Sequence, residues 1–246
     1  MKPIGILDSG LGGVSVVLAL HRAYPAMAMV YLADQIHAPY GSKSKEEICA
    51  IMHDNINWFK QQGIDEVLLA CNTASSNALE YLHEHFPTMK IDGIIDVTVD
   101  QLDDADCIGV LATSATIASH AYKSKIERRV DAVVIEQAAP ELVGMIEALE
   151  DEENLLKVLD QYCASIRECD TVILGCTHYP LIRHLIAQKV SGKIVDSIEP
   201  IIKSFASKEM ARGDIRIYTT KDPVHLSKQI KIIFGEKIEV IKGVVK

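Results

Sequence analysis

Short apolar runs alternate with amphipathic stretches along almost the whole chain. Runs at residues 3–8, 28–33, 66–70, 91–95, 107–112, 131–136, 171–175, 193–196, 215–219 and 238–241 read as strands. Helical periodicity fills the gaps between them. The clearest helix opens at Ser44-Lys45-Glu46-Glu47, a capping box with Ser44 as N-cap and Glu47 at the third helical position. Ile48, Ile51, Met52, Ile56 and Phe59 then recur on one face, and Gly63 stops the helix. Strand and helix in strict alternation predict an α/β fold with mainly parallel sheets flanked by helices.

The pattern repeats itself. Ile4-Gly5-Ile6-Leu7-Asp8-Ser9 is echoed by Ile108-Gly109-Val110-Leu111-Ala112-Thr113, and Val67-Leu68-Leu69-Ala70-Cys71 by Val172-Ile173-Leu174-Gly175-Cys176. Ile4 and Cys71 lie 67 positions apart, Ile108 and Cys176 68 apart. Two pseudo-symmetric α/β domains follow, with a site in the cleft between them. The first covers residues 1–95 together with about 201–246, whose own strand–helix–strand pattern returns to it. The second covers 96–200.

Composition narrows the function classes. A length of 246 residues is enough for one large or two small cores. A net charge of −9 offers no basic face for nucleic acid or an acidic membrane. Lys123 to Arg129, the tightest basic cluster, reads as the solvated side of a helix, and Glu150-Asp151-Glu152-Glu153 as an exposed connection leading into the next helix. No apolar stretch approaches the roughly 20 residues of a membrane span, and Asp8 cuts short the N-terminal apolar run before it could serve as a signal-peptide core. The six cysteines include no Cys-x-x-Cys pair, so no metal site is expected. Free thiols point to a reducing cytoplasm.

A free cysteine is ordinarily a small packing residue, and Cys49, Cys107, Cys163 and Cys169 are read that way. Cys71 and Cys176 differ in position. Each ends an apolar strand and precedes polar residues, Asn72-Thr73 and Thr177-His178, that open a helix. A helix N-terminus favours a thiolate and should lower the thiol pKa from about 8.5 toward neutrality, the range a catalytic acid/base needs. Asn72, Thr73 and Thr177 would cap those helices in any case, and the same free N–H groups suit a substrate carboxylate. His178 stands two residues after a candidate base and can orient it or shuttle its proton.

The Gly-rich turn Asp8-Ser9-Gly10-Leu11-Gly12-Gly13 fits neither nucleotide-binding spacing. Asp8 would repel a phosphate and attract an ammonium group. Asp34 and Pro39-Tyr40-Gly41-Ser42 follow a strand and read, on local pattern, as a plain turn. Glu147, between Ile146 and Ala148, reads as a helix residue facing solvent.

Taken together, five segments carry a resemblance: residues 6–13, Ala38-Pro39-Tyr40-Gly41, Ala70-Cys71-Asn72-Thr73-Ala74-Ser75, Gly109-Val110-Leu111-Ala112-Thr113 through Thr116, and Leu174-Gly175-Cys176-Thr177-His178-Tyr179-Pro180. In that order they cover most of the chain, and it resembles the glutamate racemases of the cofactor-independent aspartate/glutamate racemase superfamily. The resemblance implies interconversion of L- and D-glutamate without a cofactor, supplying D-glutamate for bacterial peptidoglycan. Cys71 and Cys176 match the family's catalytic thiols, with Asp8, Asp34, Glu147 and His178 as assisting groups. Asp8, Ser9, Tyr40, Gly41, Asn72, Thr73, Thr116, Thr177 and His178 match substrate-contacting positions. The stretch after Glu147 is shorter and more acidic than the family pattern, and the C-terminal segment matches only in outline, around Ile217-Tyr218-Thr219-Thr220-Lys221-Asp222-Pro223.

Racemisation at an α-carbon needs a base on one face and an acid on the other, and donors that stabilise charge building on the carboxylate. Two thiols facing each other meet the first requirement. In family usage Cys71 acts on the D form and Cys176 on the L form. Three alternatives stay open: an aspartate racemase, a non-catalytic amino-acid-binding protein, and a one-thiol hydrolase using Cys176 and His178. A homodimer, the commonest oligomer in general, is also open.

Overall fold

The computed structural model describes residues 2–206 and 211–245. It contains ten strands: β1 (Ile4–Asp8), β2 (Met29–Ala33), β3 (Glu66–Leu69), β4 (Lys90–Gly93), β5 (Cys107–Ala112), β6 (Val133–Ala138), β7 (Thr171–Gly175), β8 (Lys193–Val195), β9 (Ile215–Thr219) and β10 (Val240–Lys242). They form two all-parallel sheets, ordered β10-β9-β2-β1-β3-β4 and β6-β5-β7-β8. The block β2-β1-β3-β4 of the first sheet has the same order as the whole second sheet, so the sequence repeat is a repeat of topology. The C-terminal strands β9 and β10 extend the first sheet beyond β2.

This order places a strand-order reversal beside β1 in one sheet and beside β5 in the other. Ligands of open α/β sheets bind at such points, outside the carboxyl ends of the strands. In register, Leu7 pairs with Leu69 and Ala112 with Gly175. Ser9 and Cys71 therefore emerge side by side from one sheet, as do Thr113 and Cys176 from the other.

Local chemistry sets several element ends. Helix Lys45–Gln61 begins at the complete capping box, Ser44 Oγ accepting from Glu47 N and Glu47 Oε2 from Ser44 N. It stops before Gly63, whose φ of +74° only glycine adopts without strain. Asp151 caps helix Glu152–Tyr162 through Asn154 N, so the acidic run does lead into a helix.

Three strands shift by two residues at one end or both. The fourth ends at Gly93, and Ile94 opens a helix (Ile94–Val99). Ser75 Oγ accepts from Ile94 N there, and Ile94, Ile95 and Val99 are buried, so the apolar run serves a helix as well as it would a strand. The sixth strand begins only at Val133, where pairing with Cys107 sets the register, and the last runs Val240–Lys242.

One hydrophobic cluster spans both sheets. It joins Ile6, Tyr31 and Leu68 of the first with Val110 and Ile173 of the second, through Ile94, Ile201, Phe205 and Leu226. Helix Ile198–Phe205 packs on helices Gly12–Ala23 and Ile94–Val99, and the boundary drawn at 200/201 falls inside it. A separate cluster lies on the far face of each sheet. The two halves thus share apolar surface and fix the gap between their strand ends. Among the described residues, no helix is long and apolar enough to cross a membrane.

Candidate active site

Cys71 and Cys176 line one cavity of about 320 Å³. Each is only 6% exposed. Cys71 is the N-cap of helix Asn72–His85, and the amides of Thr73 and Ala74 point at its sulfur. Cys176 follows β7 but does not open a long helix. Thr177 and His178 lead into a 3₁₀ turn, Tyr179–Ile182, and then the single turn Arg183–Ile186. Pro180, inside the first turn, removes an N–H donor there. The expected helix N-terminus is therefore present at one thiol only.

The expected lowering of the thiol pKa is also overturned at Cys71. Burial pushes its thiol far above the usual range, and the negative charge of Asp8 adds to this, outweighing the two amides. Without substrate Cys71 is held protonated.

Around Cys176 the dominant group is His178. Its Nδ1 lies 3.8 Å from Cys176 Sγ and its Nε2 lies 2.9 Å from Glu147 Oε1. Burial works against charge on the ring, but the contacts with Cys176 and Glu147 outweigh it and push the pKa up to about 10. Glu147 is correspondingly held below its usual range: burial alone would raise it, and the His178 contact prevails. Glu147 lies at the end of helix Leu142–Glu147 and lines the cavity, so it pairs with His178 there rather than standing as a plain surface residue.

The glycines of the first turn let the halves approach. A Cβ on Gly12 would lie 2.4 Å from Thr177 Oγ1 and 2.5 Å from His178 Nδ1. The Gly12 N–H sits 3.2 Å from His178 Nε2, on the same atom that Glu147 contacts. On the other side of the cleft, a Cβ on Gly41 would lie 2.7 Å from Thr113 Cβ.

Asp8 is not placed to hold an ammonium group in this conformation. It is fully buried, and its carboxylate accepts from Gly10 N, Gly13 N and Thr177 Oγ1 at 3.0–3.1 Å. Burial raises its pKa despite His178 and these donors. Its visible work is to set the Gly-rich turn and tether Thr177 across the cleft. Asp34 is likewise behind the wall. It accepts from Tyr40 Oη at 2.6 Å, His37 Nδ1 at 2.9 Å, Thr220 Oγ1 at 2.9 Å and Asn55 Nδ2 at 3.1 Å. Asp34 thereby fixes the Tyr40 loop, a 3₁₀ turn after the cis Ala38–Pro39 peptide.

Ser9, Tyr40, Gly41, Asn72, Thr73, Thr177 and His178 all line the cavity. Thr116 does not. It is 1% exposed, and its hydroxyl bonds Thr113 Oγ1 and Thr73 Oγ1 from behind. Thr113 is the lining residue, bonded to Thr73 Oγ1 at 2.8 Å. It was legible as the counterpart of Ser9 in the sequence repeat, which also lines the cavity. Gln35, Ser42, Glu141, Lys221 and His225 reach the cavity too, and no local pattern marks them. Of the other cysteines, Cys163 and Cys169 are buried in the core, while Cys49 and Cys107 are half-buried.

Comparison with known proteins agrees with this geometry. The model of the Asp/Glu/Hydantoin racemase family matches residues 4–204. The chain is similar to the glutamate racemase of Aquifex aeolicus, 38% identical over 244 residues, covering 96% of this chain and 95% of that one. Its fold is similar to that of the glutamate racemase isoform RacE1 from Bacillus anthracis, with TM-score 0.91, 27% identity, and 99% and 98% of the two chains covered. It is equally similar to the Francisella tularensis glutamate racemase solved in complex with D-glutamate, with TM-score 0.91, 26% identity, and 100% and 97% covered. A match of this extent, with both thiols in one cleft, means that the chain belongs to the Asp/Glu/Hydantoin racemase family.

Proposed function

We propose that the protein interconverts L- and D-glutamate, with Cys71 and Cys176 as acid and base on opposite faces of the α-carbon. The observation that carries this is the shared cavity: two thiols, each at the carboxyl end of the equivalent strand of a repeated sheet, line one space. A pseudo-symmetric pair suits a reaction whose substrate and product are mirror images at the reacting carbon.

The rest of the wall supports the same chemistry. Asn72, Thr73, Thr113 and Thr177 supply amide and hydroxyl donors for a carboxylate that gains negative charge as the α-proton leaves. The imidazolium of His178 faces Cys176 and can return a proton to its sulfur. At Cys71 the raised thiol pKa falls when the ammonium of the substrate comes near, because a neighbouring cation favours the thiolate. Enclosure keeps the carbanion from being protonated by bulk water. The family resemblance implies that this reaction runs without a cofactor.

Glutamate is favoured over aspartate because the similar proteins described above are glutamate racemases. Supply of D-glutamate to peptidoglycan belongs to the same proposal, as does a cytoplasmic location, which suits six free thiols. Residues 1–95 with about 201–246, and 96–200, are proposed as the two domains that flank the cleft. A homodimer is the assembly we expect, and sedimentation would test it. The functional test is circular dichroism of L-glutamate incubated with the protein and no added cofactor. Decay of the signal to zero supports the reading. A stable glutamate signal with decay for L-aspartate would replace it with aspartate racemisation.

A further inference from the structure

The family match ends at residue 204, yet two basic side chains from beyond it, Lys221 and His225, line the cavity that holds the thiols. Both are exposed as well as lining, so they stand at its mouth. Their backbone is pinned. Thr219 Oγ1 accepts from Lys221 N at 3.2 Å, Lys242 Nζ donates to the carbonyls of Thr220 and Lys221, and Asp222 caps helix Pro223–Phe234 through Val224 N. Among the described residues the ammonium of Lys221 has neither an ion-pair partner nor a hydrogen bond. His225 lies within electrostatic reach of Glu147.

The surroundings are acidic. Glu141 and Glu147 line the cavity, Asp8 and Asp34 are buried behind its wall, and the chain carries a net charge of −9. Glutamate approaches as a net anion, so this field opposes its capture. An unpaired ammonium at the mouth offsets that repulsion and offers a partner for a carboxylate.

We infer that Lys221 is the residue that captures the anionic substrate at the mouth of the cavity, a role supplied by the C-terminal segment outside the matched family region. The inference rests on the glutamate reading above. Among the described residues the Lys221 side chain bonds neither thiol, nor His178, nor Glu147, so it acts on binding and on the approach of substrate rather than on proton transfer.

The test compares wild type, Lys221→Met and Lys221→Arg for calorimetric Kd of D-glutamate and for racemisation at several salt concentrations. Loss of one partly exposed charge should weaken binding and raise KM about three- to tenfold, with kcat within about twofold. The salt dependence of kcat/KM should flatten in Lys221→Met, because the screened attraction is gone, and Lys221→Arg should restore both. Lys228→Met, on the helix that follows Lys221 and outside the cavity lining, serves as the control. Equal Kd and equal salt dependence for wild type and Lys221→Met would overturn the inference. A wild type that binds D-glutamate without racemising it would sink the racemase reading instead, while the comparison of Kd values still decides the role of Lys221.

Discussion

Glu147 Oε1 lies 2.9 Å from Nε2 of His178, whose Nδ1 lies 3.8 Å from the sulfur of Cys176. The carboxylate therefore reaches the thiol through the ring, and the ring is held protonated up to about pH 10. Removing the charge should be felt at the ring. In Glu147→Gln the His178 titration, followed by NMR of the imidazole protons, moves down from about 10 toward its ordinary value of 6.5. We expect kcat/KM to fall about 10- to 100-fold, with the alkaline limb of the pH profile moving the same way. An unchanged titration would show that Glu147 does not support the imidazolium.

The same pair sets a pH dependence of stability. The folded-state pKa of His178 is raised above its unfolded value, so its contribution is fully present below about 6.5 and is lost as pH rises through about 10. Glu147, whose pKa is lowered, contributes above its ordinary 4.5 and loses that contribution as pH falls through the depressed value. Urea unfolding across pH 6–10 should show wild-type stability declining more steeply than that of Glu147→Gln.

Asp34 organises the Tyr40 side of the cavity from behind. Its replacement by Ala leaves the hydroxyls of Tyr40 and Thr220 and the amide of Asn55 without their buried acceptor. A cost of about 2–4 kcal/mol in chemical denaturation is expected, together with a raised KM as the loop loosens. Asp34→Asn, which keeps one acceptor oxygen, should lose less on both counts.

Gly12 and Gly144 make a contrasting pair. A methyl group at Gly12 would collide with Thr177 and His178, whereas nothing lies within 4 Å of one at Gly144. Gly12→Ala should therefore reduce kcat by at least about 100-fold by displacing the residues beside Cys176. Gly144 lines the cavity from helix Leu142–Glu147 with open space before it, so Gly144→Ala should add roughly 0.5–1 kcal/mol of stability and lower kcat far less than Gly12→Ala does.

How far the sequence revealed this site depends on the kind of signal each residue carries. Strand β7 and the capping box at Ser44 are local, and both lie where periodicity and capping chemistry place them. The repeat fixed which strands are equivalent, and it contained Thr113 as the partner of Ser9. Ile94-Ile95 misled because a short buried apolar run has the same composition in a strand and at the start of a helix. The 3₁₀ turn after Cys176 turns on Pro180, which was visible, but the local pattern does not show how little helix follows it. Glu147, Lys221 and His225 could not be found by spacing, since the tertiary fold alone brings their segments to the thiols. The reversed pKa at Cys71 has the same origin: a helix start is a local feature, whereas burial and the nearness of Asp8 are products of folding.

A two-thiol reaction leaves a distinctive isotopic record. Thiol protons exchange with solvent, so in D₂O the acid that protonates the carbanion carries deuterium, while the proton removed from the substrate stays on the opposite face. L-Glutamate incubated with the enzyme in D₂O and sampled early, with the enantiomers separated and weighed by mass spectrometry, should give D-glutamate with deuterium at the α-carbon and residual L-glutamate with almost none. D-Glutamate as substrate should give the mirror result, and Cys71→Ser or Cys176→Ser should each abolish racemisation. Deuterium appearing equally in recovered substrate and product, or near-wild-type turnover by either variant, would contradict a thiol on each face of the α-carbon.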